Sequence, residues 1–178
     1  MKVIEILGKK FEEIITPEEI AGRVKEIASV INREYDGREV IFIGILNGAF
    51  LFAADLFRHI TLKARITFVK LASYEGTSTT GSVKELIGWN EDIKGADVIV
   101  VEDIVDTGAT LERIVDELRI RKVASVKIAT LLLKPGIYKK AIQVDYVGFK
   151  VPDNYVIGYG LDFEGYARNL PSVYKMIK

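Results

Sequence analysis

The sequence predicts an α/β fold in which a parallel, twisted sheet is flanked by helices. Continuous apolar runs of strand length alternate along the chain with segments that have the period of an amphipathic helix. Of the 178 residues, 49% are hydrophobic, and a chain of this length buries about 70% of its unfolded surface. No internal repeat and no Pro/Ser-rich linker divides the chain. We therefore expect one domain with a substantial core.

The first half of the chain predicts two helices and two strands. Thr16 and Glu19 form a capping box around Pro17, which suits the first helical position. The apolar face of this first helix comprises six residues, Ile20, Ala21, Val24, Ile27, Ala28 and Ile31. The segment "YDGRE" ends it. Val40–Leu46 predicts a buried strand, "NGAFLFAADLFRHI" a turn and a helix, and "RITFVKLASY" a further strand.

The second half repeats the alternation and then departs from it. A small, polar segment, "EGTSTTGSVKELIG", predicts a long loop, and Val98–Val101 predicts a strand. A helix follows, marked by Leu111, Ile114, Val115 and Leu118, and then a strand in "VASVKIATLLLK". The aromatic-rich C-terminal segment has no helical period. We expect a core of about residues 36–141 and a small hood formed by residues 1–15 and 142–178.

Composition narrows the class of protein. Basic and acidic residues balance at 25 each, with a pI near 6.6, so nothing in the net charge favours nucleic acid or an anionic membrane as partner. No apolar run approaches the roughly 18 residues that a membrane helix needs, and "MKVIEILGKKFEE" does not resemble a signal peptide. The absence of cysteine fits a reducing compartment. We expect a cytoplasmic location.

The stretch Val98–Ile114 combines two opposed chemistries. Four β-branched apolar residues lead into Glu102 and Asp103, and a third acid, Asp106, follows three residues later. The small-residue turn Thr107–Thr110 then opens a helix, whose free N–H groups and dipole suit a phosphate. In a parallel sheet this edge is where ligands bind. Because carboxylates repel phosphate, the ligand must carry phosphate at one end and hydroxyls, a metal or a cationic centre at the other.

The turn is not one of the common phosphate loops. No Lys follows Gly108, as a nucleotide P-loop requires, and a single Gly is too few for the dinucleotide fingerprint. The spacing Asp103-x-x-Asp106 also differs from an acid pair two residues apart, which is usual in aspartyl-phosphate sites. A structural alternative stays open at this point. The acids can serve as helix N-terminal charges, with Thr and Gly as ordinary caps.

The motif "VIVVEDIVDTGATL" resembles the phosphoribosyl-pyrophosphate signature of type I phosphoribosyltransferases. Four further segments resemble hypoxanthine-guanine phosphoribosyltransferases in the same order: "GILNGAFLFAADL", "LASYEGTSTTGSVK", "LLLKPG" and "VDYVGFKVPDNYVIGYGLDFEGYARNL". The likeness covers nearly the whole chain. It implies purine salvage, in which phosphoribosyl pyrophosphate donates its 5-phosphoribosyl group to N9 of hypoxanthine or guanine, giving IMP or GMP and pyrophosphate.

The resemblance implies roles for the acidic turn. Glu102 and Asp103 would accept hydrogen bonds from the ribose hydroxyls, directly or through metal, and their charge suits an oxocarbenium-like ribose. Asp106 would be the general base or proton relay at purine N7. With Asp162, Glu102 and Asp103 would also be the carboxylates at Mg²⁺. The 5′-phosphate would bind five consecutive residues, Asp106, Thr107, Gly108, Ala109 and Thr110.

Pyrophosphate would bind a loop and an arginine. The loop is Leu46-Asn47-Gly48, where family members can carry a non-proline cis peptide at the position of Leu46–Asn47, and the arginine is Arg168. Many relatives have Lys in place of Asn47, which puts the contribution of this loop to pyrophosphate affinity in question. From the residues alone, an ordinary Asn-Gly turn between strand and helix remains the alternative.

The purine would be recognised by the other end of the site. In the family, a lysine at the position of Lys134 donates to O6 and selects oxopurines over adenine, although a lysine after a strand is more often only solvated. Tyr155 would stack on the base, and Val156 would offer its carbonyl to the 2-position. Ser73 and Tyr74 would open a lid that excludes water. His59, the single histidine, is interpreted as structural.

Two rival functions are kept. One is a regulatory sensor that binds phosphoribosyl pyrophosphate and also a transcript or promoter, although such a protein should carry a basic face or an added domain. The other is a transferase for a different base, such as xanthine. The sequence does not rank hypoxanthine, guanine and xanthine. By resemblance alone, we expect a homodimer or homotetramer.

Overall fold

The computed structural model describes residues 2–71, 85–87 and 92–177. In chain order the elements are β1 (Val3–Ile6), β2 (Lys9–Ile15), α1 (Pro17–Glu34), β3 (Glu39–Ile45), α2 (Phe50–Phe57), β4 (Lys63–Leu71), β5 (Glu85–Ile87), β6 (Asp97–Val105), α3 (Ala109–Ile120), β7 (Ser125–Leu133), β8 (Tyr146–Lys150), β9 (Val156–Ile157) and β10 (Val173–Ile177).

The larger sheet confirms the predicted fold class. Its strand order is β5-β4-β3-β6-β7-β8, in which β4, β3, β6, β7 and β8 run parallel and β5 pairs antiparallel with β4. Side chains alternate between the two faces. Phe42 and Ile99 pack with α1 and α2 on one face, and Ile41 and Val98 pack with α3 on the other. Both faces are therefore covered, as the continuous apolar strands predicted.

Helix α1 begins as its sequence predicts. The backbone N–H of Thr16 donates to Glu19 Oε2 at 2.8 Å, and the N–H of Glu19 donates to Thr16 Oγ1 at 3.3 Å. The reciprocal pair satisfies two of the free donors at the helix start. Five of the six residues predicted for the apolar face are buried, and Ala21 is exposed. Ala21 follows Ile20 by one residue, which turns it about 100° away from the core.

Three boundaries differ from the sequence prediction. Strand β6 continues through Val105, so Glu102 and Asp103 lie within its last turns of pleat and not after it. The predicted long loop ends in strand β5. Strand β8 belongs to the core sheet through its parallel pairing with β7, and α1 packs on the same core, so the expected core of residues 36–141 is too short at both ends. Backbone pairing, which the short β8 sequence did not signal, decides this.

The hood is an antiparallel sheet with the order β1-β2-β10-β9. It joins the N-terminal hairpin to the end of the chain, since β2 pairs with β10. Phe11, Ile157, Ala167 and Tyr174 form its buried centre. Among the residues described, no helix has the length and apolar character needed to cross a membrane.

Candidate functional site

A cavity of about 410 Å³ lies at the carboxyl end of β3 and β6. Its walls combine the ends of both strands, the turn that follows β6 and the start of α3. The lining includes Leu46, Gly48, Glu102, Asp103, Ile104, Val105, Asp106, Thr107, Gly108, Ala109, Thr110 and Arg113. The structure therefore brings the acids, the small-residue turn and two of the three loop residues singled out from the sequence into one space.

Gly108 gives the turn its shape. Its φ of 81° is left-handed and it occupies the N-cap of α3 without a side-chain cap. A Cβ at this position would collide with the ring of Tyr138. The backbone N–H of Ala109 donates to Thr107 Oγ1 at 3.4 Å. The start of α3 thus faces the cavity with backbone donors and with the positive end of the helix dipole.

Glu102 and Asp103 are carboxyls held against burial. Glu102 is 6% exposed, and burial, followed by the neighbouring Asp103 charge, raises the pKa of Glu102 well above its ordinary value. Burial also raises the pKa of Asp103, while hydrogen bonds and the nearby Arg168 charge partly oppose that rise. Asp103 Oδ1 accepts from the N–H of Ile104 at 2.7 Å. Such a pair favours a cationic or hydroxyl-bearing ligand, which would stabilise the charged forms.

Asp106 and Lys134 form an ion pair across the ends of β6 and β7. Lys134 Nζ lies 3.1 Å from Asp106 Oδ2, and the lysine side chain is only 8% exposed. The backbone N–H of Lys134 donates to the carbonyl of Val105 at 3.0 Å, which fixes the two strand ends together. Lys134 is therefore not the solvated residue of the structural alternative.

The loop after β3 lies against the acidic pair. The peptide bond between Leu46 and Asn47 is cis, as expected from the resemblance. Gly48 touches the Asp103 carboxylate so closely that a Cβ would overlap it. Asn47 is exposed. The backbone of this loop, more than the Asn47 side chain, therefore defines the cavity wall.

The hood contributes Asp162 and Arg168, which pair directly. Arg168 Nη2 lies 2.6 Å from Asp162 Oδ1, and Arg168 Nη1 donates to the carbonyl of Gly160 at 2.7 Å. Asp162 Oδ2 accepts from the N–H of Gly165 at 2.8 Å. These bonds order the loop that follows β9.

Tyr155 and Val156 lie at the start of β9. Tyr155 is 49% exposed, its hydroxyl donates to the Asp162 carbonyl at 2.9 Å, and its ring meets Phe163 edge-on at 5.7 Å. Val156 is buried in the hood sheet opposite Lys175. An exposed aromatic face is thus available to a planar base.

Two other positions were singled out from the sequence. Ser73 and Tyr74, expected to open a lid, lie outside the described residues. His59 sits after α2, where its carbonyl accepts from Asn32 Nδ2 at 3.0 Å, in keeping with a structural role.

The structure also shows site neighbours that sequence reasoning missed. Arg113 lines the cavity one turn into α3, and a cation so close to a phosphate turn was a readable signal. Tyr138 packs against Gly108, and Gly160 packs against the carbonyl of Gly48. These last two contacts join distant segments, so no local pattern announces them.

The donor set fits Mg²⁺ only with help from a ligand. Among residues 2–71, 85–87 and 92–177, no three His, Cys, Asp or Glu side chains gather closely enough to hold a metal ion. Mg²⁺ is usually held by one or two carboxylates together with substrate phosphates and water. The buried pair Glu102 and Asp103 meets that requirement, and a cation would relieve the burial that raises both pKa values.

The fold and the chemistry of the cavity define a protein that binds a phosphorylated, hydroxyl-bearing ligand at the carboxyl edge of a parallel sheet. Residues 11–164 match the phosphoribosyl transferase domain family. The hypoxanthine-guanine phosphoribosyltransferase of Bacillus subtilis is 42% identical over 90% of this chain and 89% of its own. The chain therefore belongs to the phosphoribosyltransferase family, in its hypoxanthine-guanine branch.

Other relatives agree. The hypoxanthine phosphoribosyltransferase of Salmonella typhimurium is 41% identical over 93% of this chain and 95% of its own. A crystal structure of a hypoxanthine-guanine phosphoribosyltransferase from Bacillus anthracis, 41% identical, superposes with a TM-score of 0.86 over 94% of this chain and 97% of its own. The bifunctional protein TilS/HprT of Listeria innocua is 40% identical, and the chain spans 25% of its length.

Proposed function

We propose that this chain transfers the 5-phosphoribosyl group from phosphoribosyl pyrophosphate to N9 of hypoxanthine or guanine, in purine salvage. The observation that carries the proposal is one cavity that joins three acids, Glu102, Asp103 and Asp106, to a phosphate-binding turn. The hypoxanthine phosphoribosyltransferase of Trypanosoma cruzi, 34% identical with a TM-score of 0.86, was solved as a ternary substrates complex. That relative supports the same substrate pair here.

The donor substrate would span the cavity. Backbone N–H groups and hydroxyls from Asp106 to Thr110 would bind the 5′-phosphate at the start of α3. Glu102 and Asp103 would accept hydrogen bonds from the ribose hydroxyls. As the bond from C1 to pyrophosphate lengthens, positive charge develops on the ribose ring, and the two carboxylates are placed to stabilise it.

The acceptor purine would lie between Lys134 and Tyr155. Lys134 Nζ would donate to O6, Tyr155 would stack on the base, and Val156 would present its carbonyl to the 2-position. Segments on the two sides approach each other, since a Cβ on Gly136 would lie 2.7 Å from Asp153 Oδ2. Two residues separate Gly136 from Lys134, and two separate Asp153 from Tyr155.

Bond making and proton transfer balance with the residues present. Purine N9 forms the bond to C1, and the electron pair of the breaking C1–O bond leaves with pyrophosphate. The proton on N7 passes to the Asp106 carboxylate, which Lys134 holds at 3.1 Å. The leaving pyrophosphate would be bound by backbone donors of Leu46–Gly48 and by Arg168.

Mg²⁺ is the proposed cofactor. Glu102 and Asp103 would hold it together with oxygens of the donor substrate, and Asp162 would hold a second ion. Each Asp162 oxygen accepts one protein hydrogen bond and keeps a further lone pair for a cation. When bound, the metal supplies positive charge that neutralises the leaving pyrophosphate.

The setting of this activity follows from the family. We place the enzyme in the cytoplasm, as a homodimer or homotetramer whose hood and core act as one catalytic domain. Phosphoribosyl pyrophosphate and a 6-oxopurine are its proposed partners, and neither nucleic acid nor membrane is among them. The balanced charge of 25 basic and 25 acidic residues gives no support to the rival sensor function.

A base panel tests the proposal. Purified protein is assayed with phosphoribosyl pyrophosphate and hypoxanthine, guanine, xanthine or adenine, with Mg²⁺ and with chelator. We expect nucleotide formation with hypoxanthine or guanine, none with adenine, and loss of turnover when the metal is removed. Tight binding of RNA without turnover of any base would favour the sensor, and preference for xanthine would favour the other rival.

A further inference from the structure

The hood and the core meet in a backbone contact beside the proposed pyrophosphate site. Gly160, with a left-handed φ of 100°, lies directly against the carbonyl oxygen of Gly48 and leaves no space for a Cβ. Gly48 belongs to the core loop and Gly160 to the hood. The spacing of the two groups proposed to bind pyrophosphate, Leu46–Gly48 and Arg168, therefore depends on how the hood is held on the core.

Arg168 follows Gly160 closely. Its guanidinium donates to the Gly160 carbonyl at 2.7 Å, and its own carbonyl accepts from the Gly160 N–H at 2.9 Å. Two hydrogen bonds in opposite directions make Gly160 and Arg168 one local unit. Any movement of Gly160 away from Gly48 would therefore carry Arg168 with it.

Tyr159 ties this unit to the core. Its hydroxyl donates to Asp55 Oδ2 at 2.6 Å, across 104 residues of sequence. Asp55 lies on α2, the helix that begins at Phe50 directly after the Leu46–Gly48 loop. Tyr159 is 7% exposed, and burial, together with the Asp55 hydrogen bond, raises its pKa. The hydroxyl therefore remains a donor at neutral pH.

The backbone around Tyr159 needs such a contact. Tyr159 has a left-handed φ of 47°, and its neighbours Gly158 and Gly160 have φ values of 93° and 100°. Three consecutive positive φ values do not form a regular element, and glycine rotates freely. A non-glycine residue in this region persists only where surrounding contacts fix it.

We propose that the Tyr159–Asp55 hydrogen bond sets the spacing between Arg168 and the Leu46–Gly48 loop, so that Tyr159 and Asp55 are positioning residues for phosphoribosyl pyrophosphate and not for the purine. The inference rests on the proposed function, because that function assigns pyrophosphate to these two groups. A shift of about 1 Å at a positioning contact can cost about a hundredfold in rate, so loss of one hydrogen bond should be measurable.

The test begins with Tyr159→Phe, which removes the hydroxyl and keeps the buried ring. We expect the Kd for phosphoribosyl pyrophosphate with Mg²⁺, measured by calorimetry, to rise about tenfold. The KM for phosphoribosyl pyrophosphate should rise alike, and the KM for hypoxanthine should change less than about twofold. Asp55→Ala should reproduce the effect, and Asp55→Asn, which keeps an oxygen acceptor, should restore most of the affinity. The effects of Tyr159→Phe and Asp55→Ala should not add in the double variant.

Tyr166→Phe is the matched control, because Tyr166 is a hood tyrosine that is 61% exposed, and its Kd should equal that of the unmodified chain. Tyr159→Phe with a lower melting temperature but an unchanged Kd would overturn the proposal, as would equal losses for both substrates. The proposed function fails separately, through absence of turnover in the unmodified chain, whereas the Kd comparison needs no turnover.

Discussion

The ammonium of Lys134 lies 3.1 Å from the carboxylate of Asp106, although 28 residues separate them in sequence. Both follow the ends of neighbouring parallel strands, β6 and β7, where the N–H of Lys134 donates to the Val105 carbonyl. The pair links the group proposed to recognise purine O6 with the group proposed to receive the N7 proton. Substitution of one partner therefore changes the surroundings of the other.

Replacing Lys134 by Ala should weaken binding of the purine. An ammonium can donate to the O6 of hypoxanthine or guanine but offers no acceptor to the amine of adenine. A hydrogen bond to a charged group contributes about 1.5–3 kcal/mol, so the KM for hypoxanthine and guanine should rise roughly tenfold to a hundredfold. The KM for phosphoribosyl pyrophosphate should move little, and discrimination against adenine should narrow. Lys139→Ala, an exposed lysine of the same segment, is the control. Unchanged base selectivity in Lys134→Ala would shift the selective contact to backbone groups near Val156.

Replacing Asp106 by Asn should slow the chemical step. Asn keeps an oxygen that can accept from Lys134 but cannot take a proton from purine N7. We expect kcat to fall by about 10²–10⁴, with little change in the Kd of either substrate. Single-turnover kinetics and calorimetry measure the two quantities separately. Intact turnover together with lost binding of phosphoribosyl pyrophosphate would make Asp106 a scaffold of the phosphate turn.

Replacing Gly108 by Ala should disturb the phosphate turn. The added Cβ would occupy a left-handed φ of 81° and collide with Tyr138, which costs about 1–3 kcal/mol. We expect the Kd for phosphoribosyl pyrophosphate to rise about tenfold and the melting temperature to fall. Gly22→Ala on α1, where a Cβ meets nothing within 4 Å, is the control and should stabilise by about 0.4–1 kcal/mol. Equal affinity in Gly108→Ala and the unmodified chain would mean that the 5′-phosphate binds elsewhere.

Local patterns predicted the elements that depend on local forces. The capping box of Thr16 and Glu19 is present, and the four residues predicted for the buried face of α3 are all buried. The acids at the end of β6 could be placed at the ligand-binding edge because parallel strands share that edge. Periodicity and turn chemistry act over a few residues, so these features were visible in the sequence.

Contacts between distant segments were not visible in the same way. The hydrogen bond from Tyr159 to Asp55 spans 104 residues, and no spacing rule connects a hood tyrosine with a helix carboxylate. Strand β8 was assigned to the hood because Tyr146–Lys150 is short and aromatic, but its parallel register with β7 places it in the core sheet. Such pairings are settled by tertiary packing, which overrides local preference.

Replacing Glu102 by Gln should stabilise the unliganded chain in a pH-dependent way. Burial and the adjacent Asp103 raise the pKa of Glu102 well above the ordinary value of 4.5. The folded state therefore holds the proton more tightly than the unfolded state, and the stability that this group contributes is fully present below about pH 4.5. That contribution is lost as pH rises toward the folded pKa, whereas Gln is neutral throughout. The melting temperature of Glu102→Gln relative to the unmodified chain should therefore increase with pH, by about 2–4 °C for each kcal/mol. Turnover should fall, because Gln supplies no negative charge to the ribose.

Glu34→Gln provides the control of opposite sign for that prediction. Hydrogen bonds from Tyr146 and Lys127 lower the pKa of Glu34, so its contribution is present above the unfolded pKa and is lost as pH falls through the folded value. Glu34→Gln should therefore lower the melting temperature near neutral pH, with a difference that shrinks in acid. Scanning calorimetry of the three proteins between about pH 4 and 8 brackets the ordinary carboxyl pKa values. A melting difference for Glu102→Gln that stays constant over this range would show that the Glu102 charge is compensated in the folded chain without any ligand.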